Sequence, residues 1–178
     1  AGCCTKIMIT IQENDSVRVE DNGRGIPVDV HPATNVSALE TVMTTLHAGA
    51  KFGGKTYQVS GGLHGVGASV VNALSSWLRV NVRRDGKLYQ QEYKQGIPQG
   101  EVKEVGEASD TGTTINFLPD EEIFGKAKYD FDVLSERVRE MAYLNKGLEI
   151  FFQDERKDCE RTFYFEGGIT GFIRHLNR

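Results

Sequence analysis

The chain has 178 residues, 39% of them apolar and 26% charged, and a net charge of −4. That length suits one domain with a sizeable core, and the composition is that of an ordinary globular protein. The acidic balance argues against a domain that grips nucleic acid by itself, which shows as a basic face, and no apolar run reaches membrane-spanning length.

Ala1 opens the chain in mid-pattern with "AGCC", which reads as a piece of a longer protein. Cys3, Cys4 and Cys159 form no C-x-x-C pair and no metal spacing. An odd cysteine count without a signal peptide points to a reduced, cytoplasmic setting. Ile7, Ile9 and Ile11 alternate with polar residues, and Val17 and Val19 do so again after "ENDS", predicting a β-hairpin with one buried face. "EDNGRGIP", from Glu20 to Pro27, then turns the chain. It is either a plain Asp-Asn-Gly turn or a carboxylate, Asp21, aimed into a pocket walled by Ile26 and Pro27, where it could accept a hydrogen bond from a base amine.

Ser37 and Glu40 have capping-box spacing, and Leu39, Val42, Met43 and Leu46 make an apolar stripe that Gly49 stops, predicting a helix. Seven glycines then fall between Gly49 and Gly67, four of them within "GGLHGVG". This segment reads as a long mobile loop, and loops of that length in a compact domain are functional or disordered. Val70, Val71 and Leu74 begin a second helix at once. A glycine-rich loop entering a helix N-terminus suits an anion, although neither the P-loop nor the dinucleotide spacing is present.

Leu78, Val80 and Val82 alternate up to Asp85-Gly86, a type I′ hairpin signal. Strands are expected around 87–94, 101–106 and 113–118, the last opening at Thr113 in "DTGTTINF". Phe131, Leu134, Val138 and Met141 mark a third helix ended at Gly147, followed by strands at "LEIFF" and "RTFYF". Ile169, Phe172, Ile173 and Leu176 suggest a last helix. Antiparallel strands with helices gathered on one side indicate an α+β fold.

D-x-G-x-G, then G-x-x-G-x-G some forty residues on, then T-G-T resembles the ATP site of the gyrase, heat-shock chaperone, histidine kinase and mismatch-repair ATPase superfamily. Within it, "EDNGRGIPVDVHP", "LHAGAKF", "YQVSGGLHGVGASVVNALS" and "FEGGI" are similar to the B subunits of bacterial gyrase and of its paralogue topoisomerase IV, nearly end to end. The resemblance does not choose between these two. It implies a two-layer α/β sandwich of the Bergerat type with a mixed, mostly antiparallel sheet, truncated at its N-terminus.

The same resemblance implies a set of site residues. Asp21 binds the adenine amine, Gly25 gives room at the base, and Thr113 holds a bridging water. Ile26, Pro27 and Val42 line the base pocket. Lys51 and Tyr57 lie on a lid near the phosphates. Gly62, Leu63, His64, Gly65, Val66 and Gly67 wrap the triphosphate, with His64 in a binding role. Arg24 supports the pocket through an ion pair, and Arg84 borders it where coumarin inhibitors bind.

The family's catalytic Glu and its Mg²⁺-holding Asn are expected upstream of Ala1, so no catalytic or metal-ligating residue is assigned within the chain. Residues 1–165 form a partial ATP-binding domain, and 166–178 begin a connection to a transducer domain. The implied partners are ATP, Mg²⁺, DNA through other domains, a gyrase-A-type subunit, and a second copy in ATP-dependent dimerisation, with no membrane. The alternatives are another superfamily ATPase, such as a histidine kinase ATP domain, and a nucleotide-binding or dimerisation module without turnover.

Overall fold

The computed structural model describes residues 4–30, 35–46, 66–126, 128–169 and 173. In chain order the strands are β1 (Lys6–Ile11), β2 (Val17–Asp21), β3 (Ser75–Arg84), β4 (Lys87–Lys94), β5 (Ile97–Pro98), β6 (Lys103–Glu107), β7 (Gly112–Pro119), β8 (Glu149–Asp154) and β9 (Cys159–Phe163). The helices are α1 (Ala38–Thr44), α2 (Gly67–Ala73), the single turn α3 (Glu121–Phe124) and α4 (Phe131–Leu144).

The strands form one sheet in the order β5-β4-β3-β7-β2-β1-β8-β9, with β6 pairing with β4. Among the described strands only β1 and β8 run parallel. The period-2 alternation gives the sheet two chemically different faces. Ile9, Val19, Ile115 and Val80 stand opposite one another across four adjacent strands and therefore share a face. The two core clusters of the described residues pack on that side. Leu39 and Met43 of α1 close over Leu78, Val80, Val82 and Tyr93, while α4 closes over Ile11, Ile150, Phe152 and Phe163. Helices on one face and Arg18, Glu20, Asn81, Arg83 and Thr114 on the other make a two-layer α+β sandwich.

The β3–β4 turn has φ of 54° at Asp85 and 79° at Gly86, the paired positive values of a type I′ turn. In the α4 cluster the rings of Phe131 and Phe152 stack with centroids 4.8 Å apart. At the far end of the sheet, Arg156 binds the fully buried Asp154 at 2.8 Å and Asp15 of the β1–β2 turn at 2.7 Å. The same guanidinium donates to the Tyr129 carbonyl and lies over the Tyr129 ring. One side chain thus joins two hairpin turns and the entry to α4.

Three local expectations change. The capping box is half formed: Ser37 Oγ accepts from the Glu40 N–H at 3.0 Å, but the Glu40 carboxylate takes a hydrogen bond from Gln91 Nε2 of β4. α1 ends at Thr44 and leaves Leu46 exposed, so Leu46 is outside the apolar stripe. β9 stops at Phe163, where the stacking of Phe165 on Tyr143 takes over from ladder pairing. Most of the helix expected at 169–176 lies outside the described residues.

Candidate functional site

β2 and β7 are antiparallel neighbours in a register that sets Asp21 opposite Thr113. Their side chains leave the same face of the sheet, the one that carries the helices. Asp21 Oδ1 accepts the Gly23 N–H at 2.7 Å, an Asx turn that fixes the carboxylate's rotation. Asp21 Oδ2 has no hydrogen-bond partner among the described residues. The nearby Cys4 thiol is pushed above its ordinary value, first by burial and then by the negative charge of Asp21.

Thr113 is buried, and its Oγ1 accepts the Ile26 N–H at 3.3 Å. Its hydroxyl proton has no acceptor among the described residues. One half-used carboxylate and one hydroxyl donor are therefore presented side by side. A half-buried acceptor held open in this way favours a ligand that carries an N–H group, because a ligand without one leaves the oxygen unpaired.

The turn beyond Asp21 is sewn down from two sides. Asn22 Oδ1 accepts from the backbone N–H groups of Thr5 and Lys6, both at 2.9 Å. Arg84 Nη1 donates to the Gly25 carbonyl at 3.1 Å while its Nε reaches Asp85. Gly25 has a φ of 74°, and a Cβ there would stand 2.7 Å from the Arg83 carbonyl oxygen and 3.0 Å from Val82 Cγ1. The space that this glycine leaves is filled by the end of β3. Ile26 packs against the α1 cluster, whereas Pro27 is exposed and Val42 half-buried.

Arg24 lies in the turn between Asp21 and Ile26. It is exposed and forms no ion pair with a described carboxylate, and every Asp and Glu of the chain is described. Arg83, on the face of the sheet away from the helices, is held by ion pairs within the chain. Arg83 binds Glu20 at 3.1 Å, Asp110 at 3.1 Å, Thr114 Oγ1 at 3.0 Å and the Asp21 carbonyl at 3.3 Å. Sequence reading passes over Arg83 because its partners lie 27 to 63 positions away.

Val66 and Gly67 begin α2, with Val66 as an N-cap that offers no side-chain acceptor. α2 is fastened to α1 by the buried Asn72, whose Nδ2 donates to the Met43 carbonyl at 2.9 Å. Lys51, Tyr57, Gly62, Leu63, His64 and Gly65 lie outside the described residues. Of the expected set, the structure brings together Asp21, Thr113, Gly25, Ile26 and Arg84.

Residues 1–123 match the family model described as histidine kinase-, DNA gyrase B-, and HSP90-like ATPase. The whole chain is 53% identical to the DNA gyrase B protein of Thermotoga maritima. It is 51% identical, again over its full length, to the DNA gyrase B protein of Archaeoglobus fulgidus. It spans only 28% and 29% of the length of those two relatives. Among solved structures, the 43K ATPase domain of Thermus thermophilus gyrase B in complex with an aminocoumarin superposes with a TM-score of 0.84 at 41% identity. That match covers 98% of this chain and 44% of the other.

Proposed function

Starting from the fact that this chain belongs to the histidine kinase-, DNA gyrase B- and HSP90-like ATPase family, we propose that it is the ATP-binding part of a gyrase-B-type component of a type II DNA topoisomerase. The observation that carries this reading is the Asp21–Thr113 pair. One carboxylate oxygen is locked by the Gly23 N–H, the other is open, and a hydroxyl donor stands opposite.

The residues fit an adenine nucleotide. Asp21 Oδ2 accepts from the exocyclic amine, and Thr113 supplies the second polar contact beside it, directly or through a water. Ile26, Pro27 and Val42 give the ring its apolar walls. Lys51, Tyr57 and the glycine-rich run from Gly62 to Gly67 serve the phosphates. Arg84, fixed on the Gly25 carbonyl, borders the base pocket where an aminocoumarin would bind, with Arg24 beside it.

Mg²⁺ enters this reading with the triphosphate, which commonly brings the ion with few protein ligands. Among the described residues no group of three or more His, Cys, Asp or Glu is placed to hold a metal.

In the full-length protein the nucleotide drives dimerisation, and its hydrolysis is coupled to DNA supercoiling or decatenation together with a gyrase-A-type partner in the cytoplasm. Residues 166–178 lead toward the transducer. No helix among the described residues is long and apolar enough to cross a membrane.

In this reading the 178 residues contact the nucleotide without supplying the general base. Glu20, next to Asp21, points to the other face of the sheet and is held by Arg18 and Arg83. Glu40 is engaged by Gln91. A positioned base contributes about 10²- to 10⁴-fold to such a reaction. Phosphate release from the 178-residue chain should therefore be slower than from the full-length protein by about this factor. Equal turnover in the two proteins would place the base within these residues and overturn the assignment.

A further inference from the structure

We propose that Arg83 is a positioning residue for adenine recognition, clamping from the open face of the sheet the strand ends that carry Asp21 and Thr113. This rests on the reading of Asp21 and Thr113 given above and adds to it a residue that never touches the nucleotide.

Arg83 leaves the face of β3 opposite to that of Val82, so its guanidinium runs behind the recognition pair. There it meets four partners on three segments. Glu20 and the Asp21 carbonyl belong to β2, Thr114 to β7, and Asp110 to the β6–β7 connection. The Asp21 carbonyl and Thr114 sit directly behind the two residues that face the ligand. Holding them sets where the Asp21 carboxylate and the Thr113 hydroxyl emerge on the other side.

Two further observations fit this role. The Arg83 side chain is only 17% exposed although it carries a full charge, which a folded chain tolerates when its donors are used. Gly112 lies in the lane of the guanidinium. A Cβ there would stand 2.6 Å from Arg83 Nη2 and 2.1 Å from the Asp21 carbonyl oxygen. The glycine keeps the approach open. A planar guanidinium with its donors in a fixed fork can hold these acceptors at once, whereas a lysine is a point charge and cannot. Hydrogen bonds weaken steeply with misalignment, so a small drift of β2 against β7 is felt at the ligand.

The test compares ATP with inosine triphosphate, which has a carbonyl in place of the 6-amino group. Dissociation constants are measured in the full-length protein for the parent, Arg83→Met, Arg83→Lys and Asp21→Asn. Losing one charge-assisted bond to the Asp21 carbonyl should cut the preference for ATP in Arg83→Met by about fivefold or more, and Arg83→Lys should not restore it. A role in stability alone would weaken both nucleotides together and leave the preference as it was, which overturns the proposal. Should Arg83→Met fail to fold, Asp110→Asn decides. Its side chain is 64% exposed, and a smaller fall in preference is expected, an unchanged one being contrary. Asp21→Asn separates the two levels. If it keeps the preference for ATP, the reading of the site fails. If it loses the preference while Arg83→Met keeps it, only the clamp fails.

Discussion

Asp21→Asn should weaken ATP binding in the full-length protein by about 1.5–3 kcal/mol, the range for a hydrogen bond to a charged group, or roughly ten- to 150-fold in affinity. The substitution is close to surgical. The Asn side-chain oxygen can still accept the Gly23 N–H that Asp21 Oδ1 now accepts at 2.7 Å, so the turn survives. The amide nitrogen then takes the place of Oδ2 and presents a donor to the adenine amine, also a donor. Calorimetric titration reads the loss, and thermal unfolding should show little change in stability. Unchanged affinity would remove Asp21 from the binding site.

The second large effect belongs to stability and lies far from the nucleotide. Arg156→Met removes the main partner of Asp154, whose side chain is 0% exposed. Removing one member of a buried pair costs about 3–5 kcal/mol, because the other charge is left uncompensated. That is a large share of the roughly 5–15 kcal/mol that holds a domain together. Denaturant unfolding should show the loss, with no change in the ATP-to-inosine-triphosphate preference.

The pH dependence follows from the same pair. The hydrogen bonds from Arg156 hold the Asp154 carboxyl below its ordinary value of 3.8. A depressed folded value means that the pair's contribution is fully present above 3.8 and is lost as pH falls through the lowered value. The stability gap between the parent and Arg156→Met should therefore be widest at neutral pH and shrink below about pH 4. A gap of the same size at both ends would mean that Arg156 stabilises through packing on Tyr129.

Local pattern carried much of the fold. The β1–β2 hairpin follows from strict alternation, and the Asp85-Gly86 turn from two residues that tolerate positive φ. α4 follows from apolar residues three and four apart, with Asp130 accepting from the N–H groups of Asp132 and Val133. The rest depended on which strands become neighbours. The parallel pairing of β1 with β8 joins residues more than 140 positions apart, and no local signal announces it.

The same distinction divides the site. Asp21, Gly25, Ile26 and Thr113 sit in short strings whose spacing is recognisable. Arg83 gains its meaning only when β7 inserts between β2 and β3 and brings Asp21 and Thr114 to it. Arg24 is singled out only by the family resemblance, and it is exposed in this chain. Glu40 fits a capping box by spacing, but its carboxylate is drawn off by Gln91, 51 positions away.

The most direct measurement is a crystal structure of the full-length protein with a non-hydrolysable ATP analogue. The adenine amine should lie within about 2.7–3.2 Å of Asp21 Oδ2, with Thr113 Oγ1 bonded to the base directly or through one water and the Gly23 N–H still on Oδ1. An adenine ring bound away from Asp21, or one whose amine points to solvent with Oδ2 unpaired, would contradict the account.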